Sequence, residues 1–101
     1  MKLINYTPHT INLPNMSIPP CGEIARCKEI TKEVFNVNKI QFVYKTYGKV
    51  TNLPDNKSEV IYIVSMMVRQ ALPNRYDLAS PGDLIRDENG QITGCLNLVI
   101  N

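Results

Sequence analysis

Five consecutive apolar residues, Val60-Ile61-Tyr62-Ile63-Val64, constrain the fold of this chain more than any other feature. An unbroken run of strand length, rich in β-branched and aromatic side chains, reads as a strand covered on both faces, because a half-exposed strand alternates apolar with polar. It belongs at the centre of a sheet. Ser65 ends the run and is a good helix N-cap, Met66, Met67, Val68, Ala71 and Leu72 form a broad apolar face, and Pro73 stops the helix. Two turns of helix are marginal in isolation, so docking on the sheet must hold this segment, with Arg69 and Gln70 toward solvent and the two methionines as gap-filling core.

The rest of the chain reads as strands and turns. Residues 2–13, KLINYTPHTINL, form a strand that Pro8 places at an edge or a bend, and Leu13-Pro14-Asn15 turns the chain. After the Pro19-Pro20-Cys21-Gly22 corner, Ile24, Arg26 and Lys28 alternate with Ala25, Cys27 and Glu29, which predicts a second strand with Ala25 and Cys27 inward. Residues 30–50 mix β-branched and aromatic residues with asparagines, the pattern of strands interrupted by turns. Residues 52–58, NLPDNKS, are a polar exposed loop, and residues 74–83, NRYDLASPGD, a turn-rich connection. Asn89-Gly90 lies between two strand-like runs and predicts a closing β-hairpin. The resulting class is α+β: one domain over residues 1–101, with a small, mostly antiparallel or mixed β-sheet and one short helix packed on it.

Composition narrows the function classes. At 101 residues the chain can bury one core, roughly 65% of the surface its unfolded form exposes. A formal charge of +2 is too small to call for nucleic acid on its own, all seven lysines lie at or before Lys57, and no strongly acidic surface is present to mimic DNA. No window approaches the ~20 apolar residues of a membrane span, and the first residues lack a signal-peptide pattern. Cys21, Cys27 and Cys95 cannot all pair within one chain, and C-x5-C is not a close zinc spacing, so reduced thiols in a cytoplasm and no metal or cofactor are expected.

Individual residues carry chemistry more weakly. His9, in YTPHT, has the right intrinsic basicity for a general base or ligand contact, but a ring bonded locally beside a proline bend is the commoner role. The Ser65 helix start offers backbone N–H groups to an anion, with Arg69 one turn on and Arg75 just beyond, although the glycines of a phosphate-binding fingerprint are missing. Arg75 with Asp77, and Arg86 with Asp87, suit either a polar pocket or turn-stabilising ion pairs, and Gly94-Cys95 suits a bulge or close approach.

Taken together, NYTPHTI, GEIAR, YG, YIVS, ALPNRYDL, PGDLIRD and NGQITGC give a pattern over nearly the whole chain. It resembles a family of uncharacterised proteins of about this length encoded by phages, prophages and some bacteria. That resemblance implies a cytoplasmic location in an infected or lysogenic host, and by analogy a small anti-defence protein that sequesters a nucleotide immune signal or blocks a host defence protein. Three functional readings follow. The first is a binding protein for a phosphate-bearing nucleotide, using Thr7, His9, Thr10, Ser65, Arg69, Arg75, Asp77 and Arg86, without catalytic residues. The second is a protein–protein inhibitor or accessory subunit using an apolar patch or free sheet edge. The third is a small enzyme with His9 as base. A homo-oligomer suits any of them, a membrane partner none.

Overall fold

The computed structural model describes residues 1–101, in the order β1 (Lys2–Asn5), β2 (Ile11–Leu13), β3 (Met16–Ile18), β4 (Arg26–Val37), β5 (Ile40–Thr51), β6 (Val60–Ile63), α1 (Met66–Ala71), β7 (Leu78–Pro81), β8 (Leu84–Arg86), β9 (Ile92–Cys95) and β10 (Leu98–Ile100). The apolar run is central, as its composition demands. β6 sits between β1 and β7, parallel to both, and β10 closes the sheet antiparallel to β7, giving the strand order β1-β6-β7-β10. Both faces of β6 are covered. Tyr62 and Val64 pack with Ala25, Val68 and Leu78 on the helix side, and Ile63 packs with Ile11, Ile18 and Cys95 on the other. The fold is a small α+β domain with a mixed sheet and one short helix, and that helix is not long or apolar enough to cross a membrane.

Four local expectations are corrected by tertiary pairing. The stretch 2–13 is two strands, because the chain bends through Thr7-Pro8-His9 and β2 leaves β1 to pair with β3. The connection 74–83 contains β7, a buried strand of the main sheet, since α1 returns the chain parallel to β6 and Leu78, Ala79 and Ser80 are carried into the interior. Asn89-Gly90 does turn a hairpin, β8–β9, with Gly90 at φ 79°, but the chain then continues into β10 rather than ending there. Of the two helix methionines, Met66 is 59% exposed, and only Val68 on α1 is fully buried.

β4 and β5 form the least expected feature. They are 12-residue strands joined at Asn38-Lys39, whose φ angles of 51° and 65° are those of the tight two-residue turn that matches strand twist. Only the base of this ribbon touches the core, through Cys27 and Val50. At ~3.3 Å per residue it extends about 40 Å. The Cα radius of gyration is accordingly 16.1 Å, against roughly 13 Å for a compact domain of this length.

Candidate functional site

Of Thr7, His9, Thr10, Ser65, Arg69, Arg75, Asp77 and Arg86, the fold brings Thr7 and Ser65 to one small cavity of about 220 Å³ beside Tyr6, Ala25 and Cys27, and His9 and Thr10 to another, while the three arginines lie apart from both. Thr7 is buried in a network built on Asn5, whose Oδ1 accepts from the Thr7 N–H (2.9 Å) and hydroxyl (2.6 Å). The Asn5 amide in turn donates to the carbonyls of His9 (2.8 Å) and Ile18 (3.0 Å). This network fixes the bend between β1 and β2 through the backbone of His9. The imidazole is left at the surface, where His9 and Thr10 line a groove of about 470 Å³ together with Ile11, Leu84, Ile92 and Cys95.

Ser65 caps α1, its hydroxyl accepting from the Val68 N–H at 3.2 Å. With six residues, the helix spends its first turn on that cap. Arg69 does not face solvent: its Nε donates to Ser80 Oγ at 2.8 Å and its Nη1 to Asn101 Oδ1 at 3.1 Å. The Asn101 amide then donates to the carbonyls of Arg69, Leu72 and Arg75, closing the C-terminal end of the helix. The guanidinium tethers α1 to β7 and β10.

Arg75 and Asp77 form a bidentate pair, Nε to Oδ1 at 2.8 Å and Nη2 to Oδ2 at 2.7 Å, and Nη2 also donates to the Pro54 carbonyl at 3.0 Å. The hydrogen bonds from Arg75 hold the Asp77 carboxyl below its ordinary range, against burial that pushes it up, while bonding to Asp77 raises the Arg75 guanidinium. Because the folded-state value of Asp77 is depressed, its stabilisation is present above the unfolded value of about 3.9 and is lost as pH falls through the folded value. Asp77→Asn is expected to cost about 2 kcal/mol at neutral pH by leaving the part-buried guanidinium without its counter-charge, and to flatten acid unfolding below about pH 4. Urea titrations from neutral to acid pH check both.

Arg86 donates to the Gly90 carbonyl at 2.9 Å and buttresses its own hairpin. The three arginines therefore serve three different structural joints. Gly94 makes the close approach its position suggested: a Cβ there would lie 2.6 Å from the Asn12 carbonyl, so β9 can sit against β2 only without one. Cys95 beside it is 2% exposed and packs as a small apolar residue.

The β4–β5 arm presents a different kind of surface. Cross-strand pairing places Ile30 opposite Thr46, Lys32 opposite Tyr44, Phe35 opposite Phe42 and Val37 opposite Ile40, so these side chains share one face. Phe35 and Phe42 stack with centroids 4.9 Å apart. Ile30, Phe35, Val37, Ile40, Phe42 and Tyr44 are all exposed, between 38% and 58%. The other face is mainly polar, with Glu29, Thr31, Glu33, Asn36, Gln41 and Lys45 around Val43 and Tyr47, and Lys45 and Glu29 pair at 2.6 Å. The arm is thus amphipathic with its apolar face uncovered. The two-residue steps from Phe35 to Val37 and from Ile40 through Phe42 to Tyr44 are visible in the sequence. A two-residue turn without glycine hides the hairpin that unites them.

Comparison with protein-family models, curated proteins and solved structures gives no match to this chain. The functional reading accordingly rests on its geometry.

Proposed function

We propose that this chain is a non-catalytic interaction protein, an accessory or inhibitor subunit that acts by docking the apolar face of its β4–β5 arm onto another polypeptide. The observation that carries the reading is six large apolar side chains on one face of a two-stranded ribbon. An isolated hairpin is marginal in water, and a contiguous apolar face of this kind marks a protein contact. Only 14 of 101 residues are buried, few for a domain of this length, so the arm adds core only when something covers it.

The other readings have less to stand on. A phosphate-bearing nucleotide asks for convergent cations, and Arg69, Arg75 and Arg86 are each engaged within the fold. For His9 chemistry, the thiol that lines the same groove, Cys95, is packed against Ile11, Ile18 and Ile63. The resemblance to phage and prophage proteins supplies a context for an interaction protein, with a host defence protein or a phage complex as the target.

A photo-reactive residue at Val37 or Tyr44, in cells making the protein, is expected to cross-link to a polypeptide, its own chain included. The same probe at exposed Gln70 should not, and Phe35→Asp should suppress the arm adducts. Equal labelling at all three positions, or none on the arm, overturns the reading.

A further inference from the structure

The arm needs a cover, and the same chain carries a surface that fits it. The groove between β2 and the β8–β9 hairpin has a volume of about 470 Å³ and apolar walls from Ile11, Leu84, Ile92 and Cys95. Leu84 and Ile92 are 45% and 57% exposed. Around it the hairpin carries Asp83, Asp87 and Glu88 against one cation, Arg86. The arm has the opposite charge. Between Arg26 and Thr51 lie Arg26, Lys28, Lys32, Lys39, Lys45 and Lys49 against Glu29 and Glu33, a net of +4, which leaves −2 for the rest of a chain of formal charge +2. Lys39 stands at the tip, between Val37 and Ile40.

We propose that the polypeptide receiving the arm is a second copy of this chain, and that the arm tip seats in the second copy's β2/β8–β9 groove. This deepens the interaction reading and rests on it. Three observations select that occupant. The base of the arm packs on the helix side of the main sheet through Cys27 and Val50, whereas the groove walls Ile11 and Cys95 belong to the opposite side, so an arm rising from its own base faces away from its own groove. Face-to-face packing of two arms sets +4 against +4, while arm on hairpin joins opposite charges. Finally, covering the tip side chains Phe35, Val37, Ile40 and Phe42 removes on the order of 300 Å² of apolar surface, and a reciprocal pair, each copy giving a tip and a groove, reaches about 600 Å² per partner, the lower end of specific interfaces.

Sedimentation velocity on the full chain tests this with Ile40→Asp in the arm and Ile92→Asp in the groove. Both positions are more than half exposed, so neither substitution removes core packing and thermal melts confirm the fold. The wild type is expected to sediment as a dimer or closed ring at micromolar concentration. Each variant alone should dissociate at least roughly tenfold more readily. An equal mixture of the two should regain a dimer, because it retains one intact arm and one intact groove.

A monomeric wild type overturns the proposal. The cross-linking experiment above then separates the two levels: arm adducts with a different protein leave the interaction reading standing, and their absence removes both. A dimer insensitive to Ile92→Asp, or a mixture that stays monomeric, shows arms pairing with each other and also overturns it. Retention of a duplex oligonucleotide by the arm, lost on Ile40→Asp, would do the same in favour of nucleic acid.

Discussion

Val64→Asp is expected to yield no soluble folded protein. Val64 is fully buried, its N–H bonds the Ala79 carbonyl at 2.8 Å, and it packs with Ala25, Tyr62, Val68 and Leu78. A carboxylate there meets no cation and no free donor, and a buried unpaired charge costs more than about 4 kcal/mol, a large part of the 5–15 kcal/mol that hold an ordinary domain together. Val64→Ala, which removes only packing, should cost about 2 kcal/mol and stay soluble. Comparing soluble yield and melting temperature of the two variants separates charge burial from cavity formation. A soluble Val64→Asp protein melting with the wild type would mean that β6 is not the central strand.

Asn5→Asp should have the next largest effect, although it changes one side-chain nitrogen to oxygen. The Asn5 Nδ2 donates to two carbonyls, at 2.8 and 3.0 Å, in a site where the residue is 1% exposed. An oxygen in that place faces two oxygens. The Thr7 N–H and hydroxyl still serve the other oxygen, but full burial and the two facing carbonyls outweigh them, so the introduced carboxyl is expected to titrate above its unfolded value of about 3.9. The sign follows directly: a raised folded-state value leaves the variant least impaired below about pH 3.9, with stability lost as pH rises toward the folded value. We expect a deficit of about 3 kcal/mol against wild type at pH 7 that narrows toward pH 4, read from urea midpoints at matched pH. Asn5→Leu should show a deficit of similar size or larger with no such narrowing, because it orphans Thr7, His9 and Ile18 groups at every pH. A deficit in Asn5→Asp that does not change with pH would indicate that the amide is replaceable by water.

These two positions differ in how visible they were. Val64 announces itself, since five apolar residues in a row leave few options other than a covered strand, and the helix behind Ser65 and the Asn89-Gly90 hairpin are equally local signals. Asn5 gives no such sign. Its role depends on the carbonyl of Ile18, 13 residues away, being brought beside β1 by the β2–β3 turn.

The same division runs through the proposed interaction surface. Strand character in residues 30–50 followed from β-branched and aromatic content, and the alternation of Phe35, Val37, Ile40, Phe42 and Tyr44 was available to be read. Whether that face lies against the core or in water is a matter of where the hairpin leaves the domain, and periodicity is blind to it.

The arginines show the reverse. Arg69, Arg75 and Arg86 are chemically suited to an anion, and their grouping in the last third of the sequence suggested one site, yet Ser80 and Asn101, Asp77 and Pro54, and Gly90 claim them separately. β7 follows the same rule. Leu78-Ala79-Ser80-Pro81 has a serine, a proline and little strand propensity, and it becomes a buried strand because α1 returns the chain beside β6. Local patterning thus decides which segments become strand, helix or turn, since each residue's conformational preference and its immediate neighbours act before the chain closes. Which partners those segments find, which polar groups are consumed in joining them and which apolar face is left in water are decided by long-range contacts, whose energies no single segment contains.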